Sequence, residues 1–351
     1  MKVGARPENA LEWIAQKLDL APTPIADTHV AFTAARAIMA GTSLGIFDAI
    51  ANGARSDAEI ASACRTDTRA TRSLLDCLVS LGYLRFTAAG RYDNAKHVKK
   101  WLLVDAPRSV RDKLLFQRIE WTFLSRLEDF VRTGTGLDLH ASLDEEGWRL
   151  YQDAMRALAA NTAPAIARRI PVPRGAARML DIGGSHGLHS VALCRRNPRL
   201  TSEILELPDA IPSSREILER EGLGDRVRHR TGDALREDLG ANVYDVVLVS
   251  NLVHHFSSEQ NEALARRVAR ALRPSGVFVI ADFEKTKSPG AGGAIGGTMD
   301  LYFALTSTSG TWPVTTMRAW QRAAGLVALP VRRILEMPGT VLQIGRKPKR
   351  S

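Results

Sequence analysis

Residues 179–187 read MLDIGGSHG: an apolar run, a carboxylate at Asp181, then the small residues Gly183, Gly184, Ser185 and Gly187. A strand that ends so abruptly in small residues predicts a sharp turn into a helix. Glycine belongs where the backbone takes positive φ or must approach a ligand closely. Ser185 is a small non-glycine residue within the same turn. The spacing D-x-G-G-x-x-G is a weak signal alone, and its weight comes from the carboxylates at the downstream strand ends.

Glu206 ends the next strand-like run, EILE, about 20 residues downstream, where an acid can bridge two ribose hydroxyls. Leu207 and Pro208 come directly after it. Gly232, Asp233 and Ala234 close a third run, Val227–Thr231, and a carboxylate there can accept from an adenine amino group. YDVVLVSNLVHHF (244–256) puts Asp245 before a fourth run, Val246–Val249, with Ser250 and Asn251 at its tip. A helical stretch, Ser257–Leu272, carries Leu264, Val268 and Leu272 on one stripe, and Pro274 and Gly276 end it. Val277–Ala281 is the fifth strand. Such alternation predicts a parallel sheet with helices on both faces. Val331–Met337 and Val341–Arg346 flank Pro338-Gly339 and predict a hairpin that places an antiparallel strand at the sheet edge. GAGGAIGG (290–297) reads as a flexible loop, and no Lys-Ser or Lys-Thr comes after it to make a phosphate loop.

The N-terminal part has a different grammar. Thr28–Gly53 reads as helix and amphipathic turn. Ser56 with Glu59 three residues on is a capping box for a short helix, Asp57–Cys64. Asp67–Leu81 carries Leu74, Leu75, Leu78, Val79 and Leu81 on one face, and GYLRFTAAGRYDN (82–94) reads as two short strands. Helix, helix and two-stranded wing make a winged helix, a unit used for DNA binding or for dimerisation. Ser109–Arg169 is helical again apart from Thr133–Gly136, and it is rich in aromatic residues, including Phe116, Trp121, Phe123, Phe130, Trp148 and Tyr151. PVPRGAA (171–177) is a linker. The domains read as residues 1–105, a helical linker over 106–175, and 176–351.

A net charge of +10 suits a nucleic-acid binder only if it is concentrated. Residues 1–174 hold 24 basic and 20 acidic residues and the remainder 24 and 18, so the excess is spread out and partly terminal. The helix after Thr66 offers little basic surface beyond Arg65, Arg69 and Arg72, which disfavours a DNA-binding regulator. No run of about 20 apolar residues predicts a membrane span, and the first residues lack a signal-peptide pattern. Three separated cysteines, Cys64, Cys77 and Cys194, suit a reducing cytoplasm and make neither a disulfide framework nor a zinc site.

The ordered motifs at Asp181, Glu206, Asp233 and Ser250 resemble those of class I S-adenosylmethionine-dependent methyltransferases. From about Thr28 to Lys347 the chain is similar to the small-molecule O-methyltransferases of plant phenylpropanoid and bacterial natural-product pathways. That resemblance implies a Rossmann-like α/β sheet, mostly parallel, behind an N-terminal winged-helix dimerisation domain. It implies a homodimer, with no nucleic-acid or membrane partner and no metal. Asp181, Gly183, Gly184, Gly187, Glu206, Leu207, Gly232, Asp233, Ala234 and Ser250 would bind S-adenosylmethionine.

By the same resemblance His254, in His254-His255-Phe256, takes the place of the base in the family's H-D-W segment. An unperturbed imidazole titrates near pH 6.5 and can accept a hydroxyl proton. His255 stands where the family has Asp, and its side chain is expected to point elsewhere. Asp282 could serve as one acidic partner of His254, whereas Thr311–Trp320 offers no second one. YQDAM (151–155) matches a segment that covers cofactor and substrate. Trp121, Tyr151, Met155, Asn251, Met299 and Phe303 are the candidates for an apolar acceptor pocket. Relatives that keep the cofactor but methylate carbon, hydroxylate, decarboxylate or perform pericyclic chemistry are the alternative reading.

Overall fold

The computed structural model describes residues 7–349 and divides after Arg118 into two compact units. In the first, the helices Ala31–Ser43, Asp57–Cys64 and Thr68–Ser80 precede a hairpin of β1 (Leu84–Phe86) and β2 (Tyr92–Asn94). The capping box forms as its spacing demands: Ser56 accepts from the Glu59 N–H, and the Glu59 carboxylate accepts from the Ser56 N–H. Ile46, Phe47, Ile60, Leu75, Leu78 and Leu84 fill the core at 1 % exposure or less. Burying each such side chain contributes about 1.5–3 kcal/mol. Arg72 pairs with Asp57 and Arg91 with Glu59, which neutralises part of the surface a DNA duplex would need. Val30, Phe32, Leu44, Phe86 and Val104 are large apolar side chains left exposed.

The second unit is built on one sheet of β3 (Arg178–Ile182), β4 (Thr201–Glu206), β5 (Val227–Thr231), β6 (Tyr244–Ser250), β7 (Leu272–Phe283), β8 (Val327–Ala328), β9 (Arg332–Arg333) and β10 (Thr340–Arg346). Its order is β5-β4-β3-β6-β7-β10-β8, with β9 also paired to β10. The first five strands are parallel and β10 runs antiparallel to β7. The side-chain period of two sorts the core. Met179, Val246, Leu248, Val277 and Val279 pack with Val191 and Leu193 of the helix Leu188–Arg196. Leu180, Val247, Val249, Phe278 and Ile280 pack with Leu264 and Val268 of the helix Ser258–Ala271. Central parallel strands covered on both faces need such unbroken apolar runs. Asp245 locks the near end of the sheet, accepting from the Ala177 and Arg178 N–H groups and pairing with Arg273 at 3.0 Å. Chain order reverses beside β3, where the carboxyl ends of the strands open a crevice.

Three expectations change. β7 begins at Leu272, so Pro274 lies inside a strand, next to a register shift at Tyr244/Val246 that relieves the ladder of its missing N–H. The terminal hairpin is mostly turn: only Arg332–Arg333 of Val331–Met337 pairs with β10. β10 is therefore not the edge, which the short β8 and β9 form. The loop expected over Gly290–Gly297 winds from Gly293 into the helix Gly293–Thr306, because the apolar TMDLYFALT extends the turn. Among the described residues no helix is long and apolar enough to cross a membrane.

Candidate active site

β3 runs into the turn that the glycines permit. Gly183 has φ +66°, a conformation that favours glycine, and a Cβ there would lie 2.9 Å from Leu252 Cδ2 in the segment after β6. Gly187 has φ +77°, and a Cβ would strike Ile204 Cδ1 at 2.6 Å. Ser185 holds φ +51° without being glycine, a conformation that costs of order 1 kcal/mol or more. Its N–H donates to Glu206 Oε2 at 2.9 Å and its hydroxyl bonds Gln152, contacts that hold it there.

Glu206 Oε1 also accepts from the Leu207 N–H at 2.9 Å. Burial pushes its carboxyl above the usual range, against the opposing pull of these two N–H groups. Asp233 caps the next turn, accepting from the Leu235 N–H at 2.8 Å. Asn251 takes φ +50° at the tip of β6, its N–H donating to Ala281 O at 2.8 Å.

These strand ends wall a cavity of about 690 Å³, within the usual range for small-molecule sites. Gly183, Glu206, Leu207, Gly232, Asp233, Ala234, Tyr151 and Asn251 line it. Asp181 does not. It is fully buried, accepts from Ser190 Oγ at 2.7 Å, and is pushed up to about 7 by burial and then by Glu206. Gly184 and Gly187 serve packing instead: a Cβ on Gly184 would sit 2.5 Å from Asp181 Cγ. Ser250, Trp121, Met155 and Met299 also stand outside the wall.

His254 is 2 % exposed, and its Nδ1 lies 2.9 and 3.0 Å from the two oxygens of Asp282. Asp282 Oδ1 accepts from the Phe283 N–H at 2.8 Å as well. An acceptor on Nδ1 fixes the tautomer, so Nε2 carries the lone pair. Phe303 lies against the imidazole, ring centroids 4.0 Å apart, which is why it supports His254 and does not face the cavity. Contrary to expectation, His255 is the member of the histidine pair in the cavity wall. Its ring centroid is 4.3 Å from that of His254 and 4.9 Å from that of His140.

Sequence reasoning missed His140, Gln152 and Thr306–Ser309 as wall residues. The loop before His140 is docked by the Leu137 N–H, which donates to Leu305 O at 2.6 Å. Gly136 permits that approach, since a Cβ would lie 2.9 Å from the same oxygen. Two glycines (Gly134, Gly136) ahead of a lone His were the signal available.

The wall fits an adenosyl ligand with a cationic centre. Its carboxylates gather at the strand ends, and no Lys or Arg lines it among the described residues. No group of three or more His, Cys, Asp or Glu among those residues is placed to hold a metal. Residues 134–311 match the family model for the O-methyltransferase domain, and residues 27–105 match the O-methyltransferase dimerisation domain. The chain is 27% identical over 342 residues to the tetracenomycin polyketide synthesis 8-O-methyl transferase of Streptomyces glaucescens, covering 93% of this chain and 97% of that one. It is 26% identical over 265 residues to the N,N-dimethyltransferase OxyT of Streptomyces rimosus, covering 72% and 75%. The crystal structure of human N-acetylserotonin methyltransferase with S-adenosylmethionine shares the fold, with TM-score 0.82 at 16% identity over 99% of this chain and 100% of that one. The strand-end carboxylates, the close-approach glycine and the two matched domains agree, and the chain belongs to the O-methyltransferase family as an S-adenosylmethionine-dependent enzyme that carries the family's dimerisation domain.

Proposed function

We propose that the enzyme methylates a hydroxyl of a flat aromatic or polyketide-like natural product, with His254 as general base. The buried His254–Asp282 pair at the end of β6 and β7 carries this reading. S-adenosylmethionine supplies an electrophilic methyl on a sulfonium when bound. Glu206 would hold its ribose hydroxyls, Asp233 and Ala234 its adenine, and Gly183 would let the ligand lie against the backbone. His254 takes the acceptor's hydroxyl proton on Nε2, and Asp282 steadies the imidazolium that forms, as the carboxylate of a Ser-His-Asp triad does. Hydrogen bonds of this kind tighten when substrate is bound.

Residues 176–351 bind the cofactor in this assignment, and the segment 106–175 contributes Tyr151, Trp148 and His140 to the acceptor end. Three free cysteines accord with a reducing cytoplasm as the place of action. The relative from Streptomyces glaucescens named above serves polyketide synthesis by its name, and the aromatic wall suits such rings. Incubation with methyl-labelled S-adenosylmethionine and a panel of phenols, hydroxyquinones, amines and keto acids tests the reading. Label in an aryl methyl ether supports it, whereas label only in carbon or nitrogen products, or none, refutes it.

A further inference from the structure

The acceptor end of the cavity has a charge character that methyl transfer alone does not require. The chain has 48 Lys and Arg residues, yet none lines the cavity among the described residues. The ionisable carboxylates of the wall are Asp138, Glu206 and Asp233. An acceptor bearing a carboxylate or phosphate would meet no cationic side chain here. The protein would offset none of the desolvation cost of that anion with a charge of its own.

Two imidazoles stand in place of a cation. His140 is stacked on Trp148, ring planes 14° apart at 5.4 Å, and its Nε2 lies 3.3 Å from the Tyr151 hydroxyl. His255 also lies against it, centroid to centroid 4.9 Å with ring planes 52° apart. Burial holds both rings below the ordinary imidazole range, so both are neutral near pH 7. A neutral imidazole offers one donor and one acceptor. That combination suits a hydroxyl or a carbonyl, not an acid group.

We propose that His255 and His140 are specificity-determining residues that hold a second, uncharged oxygen function next to the hydroxyl being methylated. The acceptor is then a ring with two oxygens on neighbouring or peri positions and no acid group. This rests on the methyl-transfer reading, in which His254 takes the first oxygen. The rings of His254 and His255 are 4.3 Å apart, so two oxygens at mutual hydrogen-bond separation can each meet one imidazole. His255 thereby gains a function of its own beside the base.

Three probes share one ring and differ only beside the hydroxyl: 2-naphthol, 2,3-dihydroxynaphthalene and 3-hydroxy-2-naphthoic acid. Each is titrated calorimetrically into the intact protein saturated with S-adenosylhomocysteine. The diol is expected to bind about tenfold more tightly than 2-naphthol, the value of one good hydrogen bond, and the acid more weakly than either. His255→Phe should bring diol and naphthol within about twofold of each other, and His255→Asn, which keeps a donor and an acceptor, should restore part of the difference. Titration with S-adenosylhomocysteine checks that each variant is folded. Equal binding of diol and naphthol by the wild type, binding of the acid as tight as the diol, an undiminished diol advantage in His255→Phe, or no binding of any probe overturns the proposal. The label assay separates the two readings. Methylation of 2-naphthol and the diol with equal efficiency sinks the two-imidazole site alone. Selective diol binding without methylation of any phenol sinks the O-methylation reading alone.

Discussion

Replacing Asp282 with Asn tests the catalytic pair without emptying it. Asp282 is 1 % exposed and accepts from His254 Nδ1 at 2.9 Å and from the Phe283 N–H at 2.8 Å. An amide oxygen can keep accepting from Nδ1, so the ring stays in place, but the negative charge behind it is gone. A charge-assisted hydrogen bond contributes about 1.5–3 kcal/mol and a neutral one about 0.5–1.5. The difference, about 1–1.5 kcal/mol, is felt most when His254 becomes imidazolium in the transition state. It corresponds to roughly a tenfold loss in kcat. His254→Ala should lose about 10²- to 10⁴-fold, the usual contribution of a general base. The informative measurement is the double variant, in single-turnover label transfer at saturating cofactor. If Asp282 acts through His254, adding Asp282→Asn to His254→Ala costs nothing further, since coupled residues are not additive. Affinity for S-adenosylhomocysteine should stay within about twofold throughout. His254→Asn, which can still donate to Asp282, guards against a variant that fails because it leaves a buried carboxylate unpartnered. An additive loss in the double variant, or near-normal turnover in His254→Ala, refutes the pair as acid–base machinery.

Glu206→Ala removes the carboxylate held by the Ser185 and Leu207 N–H groups. It should weaken S-adenosylhomocysteine about 10- to 100-fold by calorimetry, with Glu206→Gln between. Unchanged affinity would remove Glu206 from the cofactor site. Burial holds His186 at about 3 and His189 at about 4, below the ordinary 6.5, so the unfolded chain takes up two protons that the native one refuses as pH falls from 6.5. Their stability contribution is whole above pH 6.5 and falls by about 1.4 kcal/mol per pH unit for each histidine towards pH 4. Asp181, raised to about 7, works the other way: its contribution is whole below about pH 4 and is lost as pH rises towards 7. The thermal midpoint should therefore drop between pH 6.5 and 4, and His186→Gln with His189→Gln should flatten that drop, an undiminished slope being the contrary result.

What was legible in the sequence was local or enforced by the topology. The capping box at Ser56 and Glu59 depends only on residues three apart, so a short window of sequence contains it whole. The glycine turn after β3 announces itself because positive φ at Gly183 and Gly187 needs no knowledge of the partner strand. Glu206 and Asp233 were findable because parallel neighbours β3, β4 and β5 deliver their carboxyl ends to one edge. Asp282 and His254 meet for the same reason, on the ends of adjacent β6 and β7. The misassigned residues depend on packing that no short window contains. Phe303 sits in an apolar helix that could have faced the cavity, but its ring is taken up by the His254 imidazole. Asp181 shows the same limit from the other side. Its place in the motif suggests contact with a ligand, while its side chain turns into the core towards Ser190 and leaves contact to the backbone at Gly183. A conspicuous carboxylate in a ligand-binding turn can thus act by shaping the turn.

His255 carries the point furthest. One residue from the proposed base, it succeeds His254 within the short 3-10 turn Val253–His255, so neighbouring side chains leave the backbone in different directions. Sequence alone cannot say which of the two reaches solvent-filled space. The docking of Leu137 on Leu305 brings up His140, and only then does His255 have a facing imidazole. The proposed base can therefore be located from strand ends, because β6 and β7 position it. Acceptor recognition, in the proposed site, rests on a loop docked through the Leu137 N–H and the close approach at Gly136, contacts separate from those of the His254–Asp282 pair. Substitutions in residues 134–140 should accordingly move substrate preference before they move the chemistry.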